Sequence, residues 1–95
     1  GQKCVVITYP NIGTDLKYRF YLDVAHDYIP RKLEHYVEGR LYRRIDGYRY
    51  REIGGVYLPM EVTITDYAVR KPYIGKVVGQ LLMQVNDIRM GDSAL

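Results

Sequence analysis

The chain has 95 residues, 47% hydrophobic and 26% charged, the make-up of one ordinary globular domain; this excludes two domains, a disordered tail and most multi-domain enzymes. Fourteen Lys and Arg against eleven Asp and Glu leave a net charge of +3 and a pI near 9.0, too mild a balance for a dedicated polyanion binder. The longest apolar runs, Cys4–Ile7 and Leu81–Met83, fall far short of the ~20 residues of a membrane helix, so no transmembrane segment is expected. The unusual number is eleven Tyr against one Phe and no Trp. Tyr joins a large apolar body to a polar tip, which suits half-wet sheet faces.

Period-2 alternation with β-branched and aromatic residues recurs along nearly the whole chain. Lys3–Tyr9 reads as a first strand, closed by Pro10-Asn11-Ile12-Gly13. Cys4 is the only cysteine, which excludes an intrachain disulfide or a Cys-based zinc site, and it reads as a small strand residue. Lys17–Val24 puts Tyr18, Phe20 and Leu22 on one face and Lys17, Arg19 and Tyr21 on the other. His26–Pro30 reads as a connection whose Asp23 and Asp27 bond nearby backbone amides. Arg31–Glu38 sets Leu33, His35 and Val37 opposite Lys32, Glu34 and Tyr36, with a tight turn at Glu38-Gly39-Arg40. Arg40–Ile53 reads as one long strand with a bulge or kink at Asp46-Gly47, and Gly54-Gly55 turns the chain again. Val56–Tyr67 follows, with Leu58, Met60, Val62 and Ile64 on one face. Lys76–Arg89 fits both helical and strand spacing, and Gly75 and Gly79 favour the strand. The fold class is therefore all-β, an antiparallel meander of about six strands in one domain over residues 1–95.

Such a sheet needs a second layer over its apolar face, and the sequence offers no convincing helix to supply one. The cover must come from curling, another chain, a further segment or a ligand. Two sheets packing face to face or edge to edge would make a homodimer. Asp23, His26 and Asp27 hold too few ligands for a metal site, His35 being the only other imidazole, and no metal or cofactor is expected. No nucleophile, base and orienting group can be assembled, so an enzyme is the least supported class. Arg43, Arg44, Arg49 and Arg51, interleaved with Tyr42, Tyr48 and Tyr50, form the densest basic stretch. Nucleic acid is the weakest reading of it, because no RNA-recognition signature accompanies it. Contact with an anionic surface ranks higher, and a solvated outer face with Arg stems on Tyr rings ranks first.

The order of motifs resembles the C-terminal half of the LolA-like family of bacterial outer-membrane lipoprotein-sorting proteins. The likeness runs through Tyr18–Asp23, then Tyr28-Ile29-Pro30-Arg31-Lys32-Leu33-Glu34-His35-Tyr36, which is similar to the family's Leu-Pro-Arg-Lys-x-Glu-x-Tyr element. It continues through Gly39-Arg40-Leu41 and Tyr48–Pro59, where Gly55-Val56-Tyr57-Leu58-Pro59 resembles the Gly-Val-x-Leu-Pro hallmark, and closes in Val85–Leu95. The family's final aromatic and its N-terminal strands and lid helices have no counterpart. The resemblance implies an unclosed half-barrel and a chain that is the C-terminal portion of a longer domain. It further implies a periplasmic, non-enzymatic carrier or sensor that holds lipid acyl chains or a lipoprotein on a concave apolar face. On matching positions that face would include Tyr18, Phe20, Leu22, Leu58, Met60, Val62 and Ile64. The alternative is a protein-interaction module that self-associates or binds a partner through its sheet face or edges. Gly1 in place of Met leads to the expectation of a processed, trimmed or recombinant piece.

Overall fold

A computed structural model describes residues 3–11 and 13–89, with the side chain of Tyr48 left aside. Six strands follow one another: β1 (Cys4–Pro10), β2 (Leu16–Asp23), β3 (Ile29–Val37), β4 (Arg40–Ile53), β5 (Val56–Tyr67) and β6 (Val77–Gln84). They form one antiparallel sheet in the order β1-β2-β3-β4-β5-β6, and β1 and β6 do not pair to close it into a barrel. The all-β meander expected from the alternation is thus present, as an open, half-barrel-like sheet.

The turns follow from local backbone chemistry. Glu38-Gly39 and Gly54-Gly55 both adopt positive φ, at 51° and 75° and at 60° and 83°, the two-residue geometry whose twist matches flanking antiparallel strands. A 3-10 turn over Val24–His26 joins β2 to β3, where the Asp23 carboxylate accepts the Ala25 N–H at 3.0 Å. No such bond is made by Asp27, which ends that turn at φ 60°.

Three expectations need correction. The last segment is a strand over Val77–Gln84 alone, shorter than Lys76–Arg89. Pro30 lies inside β3, one residue past its start, at a register shift where Tyr21 faces Lys32 and Leu22 faces Pro30. A bulge accommodates the missing Pro N–H there. The bulge awaited at Asp46-Gly47 is elsewhere. Register runs unbroken through Asp46↔Thr63 and Gly47↔Val62, while Tyr42 is the extra residue between Leu41 and Arg43 opposite β3. Gly47 has a different purpose: a Cβ there would collide with the hydroxyl of Tyr50 and lie 3.1 Å from its ring carbon Cζ. The Tyr50 ring covers the Gly47 backbone and donates its hydroxyl to the Pro30 carbonyl at 2.9 Å.

Register sorts the side chains into cross-strand rows. One row is apolar across all six strands: Ile7, Phe20, Leu33, Ile45, Ile64 and Leu81. The next row on the same face is Tyr9, Tyr18, His35, Arg43, Asp66 and Gly79. The opposite face carries Thr8, Arg19, Glu34, Arg44, Thr65 and Gln80. No layer covers the apolar face: among the described residues no hydrophobic side chain is fully buried, and the buried ones are Asp23, Glu34 and Thr65. The radius of gyration of 15.7 Å exceeds the ~12 Å of a compact domain this long, as a bare sheet requires.

Candidate functional site

The candidate site is the uncovered face. Its apolar row lies beside the row carrying His35, Arg43 and Asp66, so a hydrocarbon strip runs along a polar one. At the β1–β2 end, Ile7, Tyr9, Tyr18, Phe20 and Leu22 line a groove of about 420 Å³. Tyr9 meets Phe20 edge to face, with ring centroids 5.5 Å apart. Farther across, Leu33, Ile45, Gly47 and Val62 share a smaller hollow of about 160 Å³ with Pro30, Arg31, Lys32 and Pro59. A third groove of about 420 Å³ runs beside the polar row, lined by Leu16, Val37, Tyr42, Arg43, Asp66, Tyr67 and Val69.

Five of the seven expected apolar-face residues come together. Tyr18, Phe20 and Leu22 line one groove, Val62 lines the second hollow, and Ile64 sits in the apolar row between Ile45 and Leu81. Met60 lies apart from them, in a more polar cleft with Arg49, Tyr50, Glu61 and Gln84. Leu58 faces Arg51 near the β4–β5 turn and lines none of these hollows.

The four arginines do not form one patch. Arg43 sits on the apolar face, where its Nε donates to Asp66 at 2.7 Å and its second nitrogen at 3.3 Å. Arg44 sits on the polar face and donates to Asp46 at 2.8 Å. Arg49, at φ 51°, is paired with Glu61, and Arg51 is exposed. The side chain of Tyr48 lies outside what is described. Three of the four guanidinium groups are thus engaged by carboxylates of the same chain.

Sequence reasoning missed the ion pair on the apolar face. Its signal was parity: Asp66 continues the Val62, Ile64 alternation, and Arg43 precedes Ile45 by two. The Arg43 guanidinium holds the Asp66 carboxyl below its ordinary range against the opposing effect of burial. His35 lies beside this pair, with Tyr18 edge-on at 4.9 Å and the Tyr42 hydroxyl 3.4 Å from its Nδ1. Burial first, and the Arg43 charge second, push the His35 imidazole below its ordinary pKa. It is the neutral form that this environment favours.

A second polar cluster forms where β2 meets β3. Asp23, fully buried, accepts from Arg31 Nε at 2.6 Å and the Ala25 N–H, and shares a 2.9 Å hydrogen bond with His26 Nδ1. Burial drives its pKa up, but the three hydrogen bonds outweigh it and leave the carboxyl below its usual value. Arg31 also stacks on the Tyr50 ring at 4.5 Å, and His26 meets Tyr57 edge-on. Both acceptor oxygens of Asp23 are thus occupied, so the cluster is a corner staple. No group of three His, Cys, Asp or Glu among the described residues could hold a metal ion. No described helix is long and apolar enough to cross a membrane.

The closing motif's residues from Met90 to Leu95, and Ile12 of the first turn, lie outside the described residues. No family model, curated protein or solved structure matches this chain.

Proposed function

We propose that this chain is an acyl-chain-holding module of the LolA-like kind, a periplasmic, non-enzymatic carrier or sensor of lipid or lipoprotein. The observation that carries this reading is the bare apolar row from Ile7 to Leu81, bordered on one side by His35, Arg43 and Asp66. Hydrocarbon laid along the row would leave water, at a gain of ~25 cal/mol per Å² of apolar surface removed. The adjoining polar row gives an ester or headgroup its hydrogen-bond partners, and the third groove places Arg43 at that border. Open grooves suit a cargo that must be released as readily as it is taken up.

The test is native mass spectrometry after gentle purification, followed by solvent extraction, alongside titration with a fluorescent fatty-acyl probe. Acyl species should be recovered, and Phe20→Asp should weaken probe binding at least tenfold. Thr63→Asp, on the opposite face, should leave it unchanged. Absence of both lipid and saturable probe binding would sink the reading.

A second reading, a protein-interaction module, is favoured by a different observation. Leu82, paired with Thr63 on the polar face, is 57% exposed, and its neighbour Val78 is 66% exposed. A cargo on the apolar face leaves both uncovered.

A further inference from the structure

The two edge strands are not equivalent. In an antiparallel ladder, alternate residues send both N–H and C=O to one neighbour, and the residues between send both the other way. The Asn11 N–H donates to the Leu16 carbonyl and the Val24 N–H to the Lys3 carbonyl, so odd residues of β1 face β2. Its even residues, ending at Pro10, face outward, and Pro10 withholds a donor from that open edge. At the other end, the Val85 N–H donates to the Met60 carbonyl and continues the Glu61↔Gln84 register. Odd residues of β6 therefore face β5. That alternation holds from Gly79 onward, so the main-chain groups of Gln80, Leu82 and Gln84 point outward, where no described strand meets them, while Val78 is the extra residue of a register shift. Val77–Gln84 contains no charge and no proline. Its one guard is the bulge at Val78, at the start of the strand; residues 79–84 carry no charge, proline or bulge.

We infer that β6 is an interface with a second copy of this chain, paired antiparallel about a two-fold axis that sets the outward groups of Gln80 against those of Leu82. This rests on the second reading above and commits it to one partner. A lipid cannot satisfy a row of main-chain donors and acceptors, so the occupant must be another strand. An uncharged strand meets its own copy without repulsion, and two-fold antiparallel pairing makes the same residues exchange bonds in both directions. Leu81 then meets its own counterpart across the seam, and Leu82 faces the second copy's Gln80. The chain exposes 7222 Å², about 1,500 Å² beyond the ~5,700 Å² of a compact monomer of 11.1 kDa, and Leu81 and Leu82, 54% and 57% exposed beside the seam, contribute to that excess. The apolar faces of both copies would join into one continuous surface.

Sedimentation velocity over a wide concentration range, with amide hydrogen exchange at each end of it, tests this pairing. The mass should double with concentration, and the Gln80 and Leu82 amides should pass from fast exchange to protection at least a hundredfold slower. Gln80→Pro removes an outward donor and leaves the β5 ladder intact; Leu81→Lys sets like charges opposite each other across the seam. Either should restore the monomer with unchanged far-ultraviolet dichroism, whereas Thr8→Pro on β1 should still dimerise. A dimer whose Gln80 and Leu82 amides stay fast overturns the edge pairing and leaves self-association through a face. A strict monomer overturns both the pairing and self-association.

Discussion

The two faces of the sheet invert the usual relation between polarity and burial. On the polar face, long side chains cover one another: Tyr21 donates to Glu34 at 2.5 Å, Lys32 lies over the Tyr21 ring at 4.3 Å, and Arg19 lies over Tyr36 at 5.3 Å. On the same face Glu34 and Thr65 are buried. The apolar face has Phe20, Leu33 and Ile45 half-buried and Leu81 54% exposed. Charged and aromatic stems can roof a single sheet because they reach sideways along it. Short aliphatic groups cannot, and must wait for another layer or a ligand. The face that looks solvent-facing by composition is thus the self-sufficient one, and the face that looks like core is available for binding.

The comparison breaks first at the corner staple. Asp23→Ala should give the largest loss of stability of any single change, because it strands the Arg31 guanidinium and the Ala25 N–H beside a buried site. Thermal melts followed by circular dichroism measure it. The Asp23 and Asp66 carboxyls both titrate below their ordinary value in the folded chain. Their contribution is therefore complete above about pH 4 and is lost as pH falls through the depressed folded values. Next in size is Glu34→Gln, which weakens the bond from Tyr21 and should cost about 1–2 kcal/mol by urea unfolding while leaving acyl-probe binding intact.

How much of this was legible in the sequence depends on which interactions carry each feature. Alternation placed the strands well: Arg40–Ile53 and Val56–Tyr67 have the expected limits, because side-chain period is set by the pleat itself. The same parity put Phe20 and Ile64 in one row, three strands apart. Cross-strand partners were not legible, since register depends on bulges, and the extra residue at Tyr42 shifts β4 against β3. The Arg43–Asp66 pair lies on the unbroken β4–β5 register running out from the Gly54-Gly55 turn, and it was missed because a compositional cluster of arginines was taken together. In a strand neighbouring residues point to opposite faces, so Arg43 and Arg44 could never have shared a surface. Gly47 invited a bulge, yet its missing side chain serves the Tyr50 ring, a contact three residues along that no periodicity encodes.

On the apolar face the sign of the comparison reverses. Phe20→Ala should cost about 1–2 kcal/mol, well under the ~3–5 kcal/mol of a fully buried Phe, because water already reaches the ring. Its effect on acyl-probe affinity should be far larger than its effect on the urea midpoint. Equal losses in both would mean that the row is ordinary core. Gly47→Ala belongs to neither face alone. It displaces the Tyr50 ring from the Pro30 carbonyl and from Arg31, and should cost about 1 kcal/mol by urea unfolding.

The smallest expected effect separates the faces by pH. His35 is the one imidazole in the rows of the apolar face, with Tyr18 from β2, Tyr42 and Arg43 from β4, and Asp66 of β5 behind Arg43. Burial, then the Arg43 charge, lowers its folded pKa below the ordinary 6.5. The unfolded chain therefore binds this proton more readily than the folded one. Stability from His35 is complete above 6.5 and is lost as pH falls from there through the depressed value. The melting temperature should decline modestly over that window, before the carboxylates begin to titrate, and His35→Phe should flatten the decline. Protonation also sets a second positive charge beside Arg43 at the border of the hydrocarbon strip. A neutral acyl probe should then bind more weakly as pH drops, in the wild type only. A decline that survives His35→Phe would leave the apolar face without a pH response of its own.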